Sequence, residues 1–109
     1  MSTLNNIIPT ENDGTARYFY VTSLAGENFT LSFDWNSIDE HWYMSVFRDN
    51  DTPISGMIGR KLVCLASPTG RSKDENRPQG DFYVDSLDKQ DPKLMNLGID
   101  TKLYFLDWV

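Results

Sequence analysis

NFTLSFDWNSIDEHWYMSVFRDNDTPISG, residues 28–56, carries two Trp, three Phe and a Tyr before breaking into an acidic turn. From Phe29 the run alternates with period two. Phe29, Leu31, Phe33 and Trp35 share one face, and Thr30, Ser32 and Asp34 share the other. That is the pattern of a half-buried strand in an antiparallel sheet, where one face packs and the other meets water. After NSIDE, the run HWYMSVFR sets Trp42, Met44 and Val46 against His41, Tyr43, Ser45 and Phe47. Its large side chains on both faces predict a strand covered twice.

Upstream, RYFYVTS is aromatic and β-branched, and Gly26 and Asn28 supply a turn, so residues 17–35 read as a β-hairpin. Residues 1–16 mix Asn, Thr, Pro, Glu and Gly around Leu4, Ile7 and Ile8 without periodicity, and are expected to form a flexible arm. Downstream, Asp, Asn, Pro and Gly turn the chain into RKLVCLAS, a short strand with Leu62, Cys64 and Ala66 inward. Residues 67–80 contain no large apolar side chain and predict a long exposed polar loop. DFYVDS and TKLYFLDWV read as strands, with one helical turn at Pro92 to Leu97 between them, ended by Gly98.

Six or seven short strands with at most one helical turn define an all-β class, a small antiparallel sandwich or barrel spanning residues 17–109. Its core is expected to hold Phe29, Leu31, Phe33, Trp42, Met44, Val46, Leu62, Cys64, Phe82, Val84, Leu103 and Phe105. The terminal strand is two-sided: Leu103, Phe105 and Asp107 on one face, Tyr104, Leu106 and Trp108 on the other. A domain this small has one core to absorb one stripe. Tyr104, Leu106 and Trp108, with Leu4, Ile7 and Ile8 of the arm, are therefore the expected protein-interface residues, the other reading being a central strand of a closed barrel.

The chain has 109 residues, 39% hydrophobic and 13% aromatic, which is one domain's worth of core. A net charge of −6, with scattered basic residues, disfavours a specific nucleic-acid partner. Apolar runs of a few residues predict no membrane insertion, and the N-terminus shows no conventional export signal. Catalytic signatures are missing from the sequence. Asp49, Asn50 and Asp51 resemble the start of a calcium loop, but the glycine and glutamate positions of that template fall on Ile54 and Arg60. The lone His41 reads as a surface or hydrogen-bonded residue and the lone Cys64 as buried, so neither an enzyme nor a metal or cofactor site is expected. Trp35, Trp42, Tyr43 and Tyr83 suit core and cross-strand pairs better than a sugar or base platform.

Taken in order, YFYV at residues 18–21, FTLSFDWN at 29–36, WYMSVF at 42–47, the turn DNDTPISGMIG with the apolar strand at 62–65, GDFYV at 80–84 and LGIDTKLYFL at 97–106 resemble the small baseplate plug proteins of contractile-tailed bacteriophages. The resemblance runs from about Arg17 to the C-terminus and leaves the arm without a counterpart. It implies a structural virion protein of the tail baseplate, made in the host cytoplasm, that plugs or initiates the tail tube at the central hub. The partners it implies are hub, tail-tube or spike proteins, with several copies per assembly. The alternative is a stand-alone carbohydrate- or peptide-binding β module.

Overall fold

A computed structural model of the chain describes residues 5–8, 10, 15–48, 52–69, 72–86, 89–94, 97 and 101–107. Among these residues lie eight strands and no helix: β1 (Asn5–Ile7), β2 (Arg17–Leu24), β3 (Glu27–Asn36), β4 (His41–Arg48), β5 (Thr52–Pro53), β6 (Arg60–Lys61), β7 (Gly80–Ser86) and β8 (Thr101–Asp107). Two of them, β5 and β6, are two-residue pairings at the margin of β4. One sheet runs β2-β3-β4-β5 with β6 also on β4, the other β1-β8-β7, and all strand pairs are antiparallel. The two sheets do not close on each other. The fold is a small sandwich, which decides between the sandwich and the barrel.

Local chemistry sets the meander. Ala25 and Gly26, with φ of 52° and 84°, form the two-residue loop that joins Leu24 to its partner Glu27, a left-handed geometry that matches the twist of the flanking strands. At the other end, Asn36 accepts the backbone N–H groups of Ile38 and Asp39, each at 3.0 Å, on its side-chain oxygen. Its carbonyl accepts from Glu40 at 2.7 Å, and Glu40 takes a φ of 55° to start β4.

The inner faces of the two sheets meet in one apolar cluster. Of the expected core, Phe29, Leu31, Phe33, Trp42, Met44, Val46, Leu62, Phe82, Val84, Leu103 and Phe105 are all buried. Ile8, Tyr18, Leu24, Ile54, Met57 and Leu97 join them. Cys64 is the correction, being only partly buried. RKLVCLAS does not continue as one strand: Leu62 N donates to Trp42 O at 2.9 Å in one sheet, then Leu65, at φ 61°, donates to Val84 O at 2.7 Å in the other. The segment hands the chain from one sheet to its neighbour, and period-two alternation is lost at that corner.

The described part of residues 67–80 is only partly exposed. Thr69, Ser72 and Arg77 are buried, and the Arg77 guanidinium donates to the carbonyls of Ser72 at 2.5 Å and Gly80 at 2.9 Å and to the Asp81 carboxylate at 2.9 Å. One cation thus satisfies backbone groups that a polar loop would otherwise leave to water. The segment expected as a free arm is likewise held over residues 5–8: β1 pairs with β8, and Ile8 N donates to Leu103 O at 2.8 Å. Of the expected helical turn, residues 95, 96 and 98 lie outside the described residues; Leu94 sits in a turn and Leu97 forms an isolated parallel bridge with Thr101.

Candidate assembly surfaces

On the β1-β8-β7 sheet, alternation turns Leu103 and Phe105 into the core and leaves Tyr104 and Leu106 half-buried on the outer face. The register sets Ile7, 52% exposed, opposite Tyr104, and Tyr104 opposite Tyr83. Ile7, Tyr104 and Tyr83 therefore form one apolar row across three strands, with Leu106 one step along. Of the six expected interface residues, the structure brings together Ile7, Tyr104 and Leu106. Ile8 points inward and is 3% exposed, and Leu4 and Trp108 lie outside the described residues.

The β2-β3-β4 sheet carries a second apolar patch that the sequence reading did not single out. Phe19 is 73% and Val21 66% exposed. Phe19 lies opposite Ser32, Val21 opposite Thr30, and Thr30 opposite Phe47. A shallow cavity of about 250 Å³ is lined by Phe19, Thr30, Ser32 and Phe47. The signal was present in YFYV, whose apolar residues fall on both faces of a strand. Ile38, 95% exposed at the β3–β4 turn, is a further isolated apolar tip.

A polar cluster ties that turn to the connection before β8. His41 Nε2 lies 2.9 Å from Asp91 Oδ2, while Nδ1 lies 2.8 Å from the Asp39 carbonyl. Both ring nitrogens face acceptors, so the imidazolium, with two N–H donors, is the form that satisfies both. The Asp39 carbonyl, then the Asp91 carboxylate, hold the His41 pKa above its ordinary value. The Asp91 carboxyl is held below the usual carboxylate range by the Cys64 N–H, donated at 2.9 Å, and by His41. Trp42 Nε1 adds a bond to the Lys93 carbonyl at 2.9 Å. Asp39 also accepts from the Tyr43 hydroxyl and from Lys61 Nζ, at 3.0 Å, and both lower its pKa. Each ionisable group here is spent on a structural partner, as expected for a hydrogen-bonded surface histidine.

The four aromatic residues weighed as a platform do not share a surface. Trp42 is core, in edge contact with Trp35 at 5.6 Å between ring centroids, Tyr43 faces outward on the same sheet, and Tyr83 lies on the other sheet. An open cavity of about 630 Å³ does lie beside Trp35 and Tyr43, closed on one side by the Arg17–Asp34 ion pair at 2.5 Å. No group of three or more His, Cys, Asp or Glu side chains is placed to hold a metal among the described residues. Asp49, Asn50 and Asp51 lie outside them.

A two-sheet antiparallel sandwich with exposed apolar rows on both outer faces has the make-up of a structural, surface-binding domain. Residues 5–108 match the family model described as cyanophage baseplate Pam3 plug gp18, and the chain belongs to that family of bacteriophage baseplate plug proteins. The match begins at residue 5, inside β1, so the N-terminal segment shares the family pattern that the sequence reading began at Arg17. Among curated proteins none matches the chain significantly.

Proposed function

We propose that the protein is a non-enzymatic structural component of a phage tail baseplate, which closes or initiates the tail tube at the central hub and contacts hub, tube or spike proteins. The observation that carries this reading is the family match over nearly the whole chain. The outer row of Ile7, Tyr104 and Leu106, continued by Tyr83 on β7, supports it, because partly exposed apolar side chains ranged across three strands suit a flat protein partner better than a small ligand. In this reading the protein is made in the host cytoplasm and resides in the virion, in several copies. Trp108 and Leu4 belong to the same proposed interface.

The test is incorporation. Tyr104→Asp and Ile7→Asp place charge on the outer row without touching the buried residues. Folded variants of either kind should be depleted from purified baseplates, measured by quantitative mass spectrometry against a hub protein. Normal stoichiometry of both variants would remove the row from the interface, and tails that assemble with unchanged tube and hub when the gene is deleted would remove the function itself.

A further inference from the structure

The sheet edges of this molecule are protected in different ways, with one exception. β1 is three residues long. β5 contains Pro53, β6 consists of Arg60 and Lys61, and β7 is capped where Leu65 and Ala66 bond to Val84. Short strands, proline, charge and coverage are the usual protections of a sheet edge. Among the described residues β2 has none of them beyond the charge of Arg17 at its first position. It is eight residues long, its register against β3 is unbroken from Arg17 to Leu24, and it contains no Pro, no Lys and no acidic residue.

Backbone directions follow from the turn. Trp35 N donates to Ala16 O, so residues 16, 18, 20, 22 and 24 bond inward to β3 in the alternating antiparallel pattern. Arg17, Phe19, Val21 and Ser23 then direct their N–H and C=O groups away from β3. The exposed side chains of Phe19 and Val21 sit on the same residues that present the open backbone edge.

We infer that β2 is a self-association edge, pairing antiparallel with β2 of a second copy across a two-fold axis at Tyr20. That register sets Phe19 against Val21 of the second copy, and the reverse, while Arg17 faces Ser23, so no like charges meet. A chain of net charge −6 repels its own copies in general, and β2 carries no negative charge, so approach there is least opposed. Among the described residues no other open edge matches its length, so pairing between copies along the full strand must use β2 on both sides. An edge about 27 Å long with two apolar side chains covers roughly 500 Å² per partner, near the lower limit of a specific interface. An interface near that limit supports only a weak, transient dimer.

Sedimentation velocity of the intact chain from roughly 10 to 500 µM reads this directly, with amide exchange by NMR as the local probe. The expected result is a concentration-dependent monomer–dimer shift, with the amides of Phe19 and Val21 becoming protected as dimer forms. Val21→Lys should lower dimer content at least tenfold while leaving the melting curve and the β3 and β4 amides unchanged. In a Cys64→Ser background, Tyr20→Cys lies on the axis and should form an interchain disulfide, whereas Thr22→Cys should not. A wild-type chain that stays monomeric throughout would overturn the proposal, as would a dimer untouched by Val21→Lys or one that fails to cross-link at position 20. Protection of Phe19 and Val21 seen only in assembled baseplates would also overturn it, assigning the edge to a strand of another protein.

Discussion

In the β2-β3-β4 sheet each strand pairs with the next along the chain, through turns of two and four residues, whereas the β1-β8-β7 sheet joins Asn5–Ile7 to Thr101–Asp107 across nearly the whole sequence. The first closes short loops and loses little chain entropy per pairing. The second must hold distant segments together before its contacts repay the cost. Its pairings depend on a core already supplied from the other side: Phe82 and Phe105, in edge contact at 5.2 Å, join the same buried cluster as Phe29, Phe33 and Trp42. The meander is locally specified, and the other sheet is specified by packing.

The harshest trial of that dependence is Phe33→Ala. Phe33 is fully buried at the centre of the meander and stacks on Tyr18 at 5.1 Å. Its loss should cost about 3–5 kcal/mol in denaturant unfolding, with both sheets melting in one transition. Two separate transitions would show that the sheets do not share one core. Gly80→Ala attacks the long-range sheet instead, because a Cβ there would lie 2.5 Å from the Leu106 carbonyl oxygen and the Phe105 ring. A cost of about 2–3 kcal/mol is expected, read from the shift in melting temperature; an unchanged melt would mean that the β7–β8 approach is looser than described.

Arg77→Met leaves the carbonyls of Ser72 and Gly80 without their donor. The expected cost is about 1–2 kcal/mol, with faster amide exchange in residues 72–80 and little change in the meander. Exchange that accelerates equally in β3 would show that this segment is part of the global core rather than an annex to it.

The smallest effect is the pH dependence of the tie between the β3–β4 turn and the connection before β8. His41 has a raised pKa, so its contribution is fully present below its unfolded value of about 6.5 and is lost as pH rises through the folded one. Asp91 has a lowered pKa, so its contribution is fully present above about 3.9 and is lost as pH falls through its folded value. Stability from this pair should therefore be greatest between those two unfolded values, by under about 1 kcal/mol for so exposed a site. Thermal melts carried above and below that range should show stability falling on the alkaline side as His41 loses its proton, and His41→Gln should abolish that fall; an identical pH profile in the variant would show that the pair does not contribute.

Legibility divided along the same line. The inner faces of β3, β4, β7 and β8 were readable because alternation along a strand needs no knowledge of the partner. The interface row was half readable: Tyr104 and Leu106 follow from alternation, but Ile7 joins them and Ile8 leaves them only because β1 pairs with β8 in this register. Phe19 and Val21 were not singled out in RYFYVTS, because alternation does not say what packs over an outer face or lies beside an edge; among the described residues the sheet order places no strand next to β2 on that side. In residues 67–80 the absence of large apolar residues suggested exposure, yet Thr69, Ser72 and Arg77 are buried where a single arginine bonds to backbone carbonyls.

By itself the sequence determined an all-β domain, the residues that face its core and the lack of a recognisable catalytic motif, because period-two patterning and side-chain chemistry are properties of contiguous residues. Only the tertiary structure decided that the sheets form a sandwich, that residues 5–8 belong to it, that RKLVCLAS crosses between sheets and that β2 is an edge strand among the described residues. Each of those depends on which distant segment supplies a hydrogen-bonding partner, and a strand's own residues do not state what lies beside it.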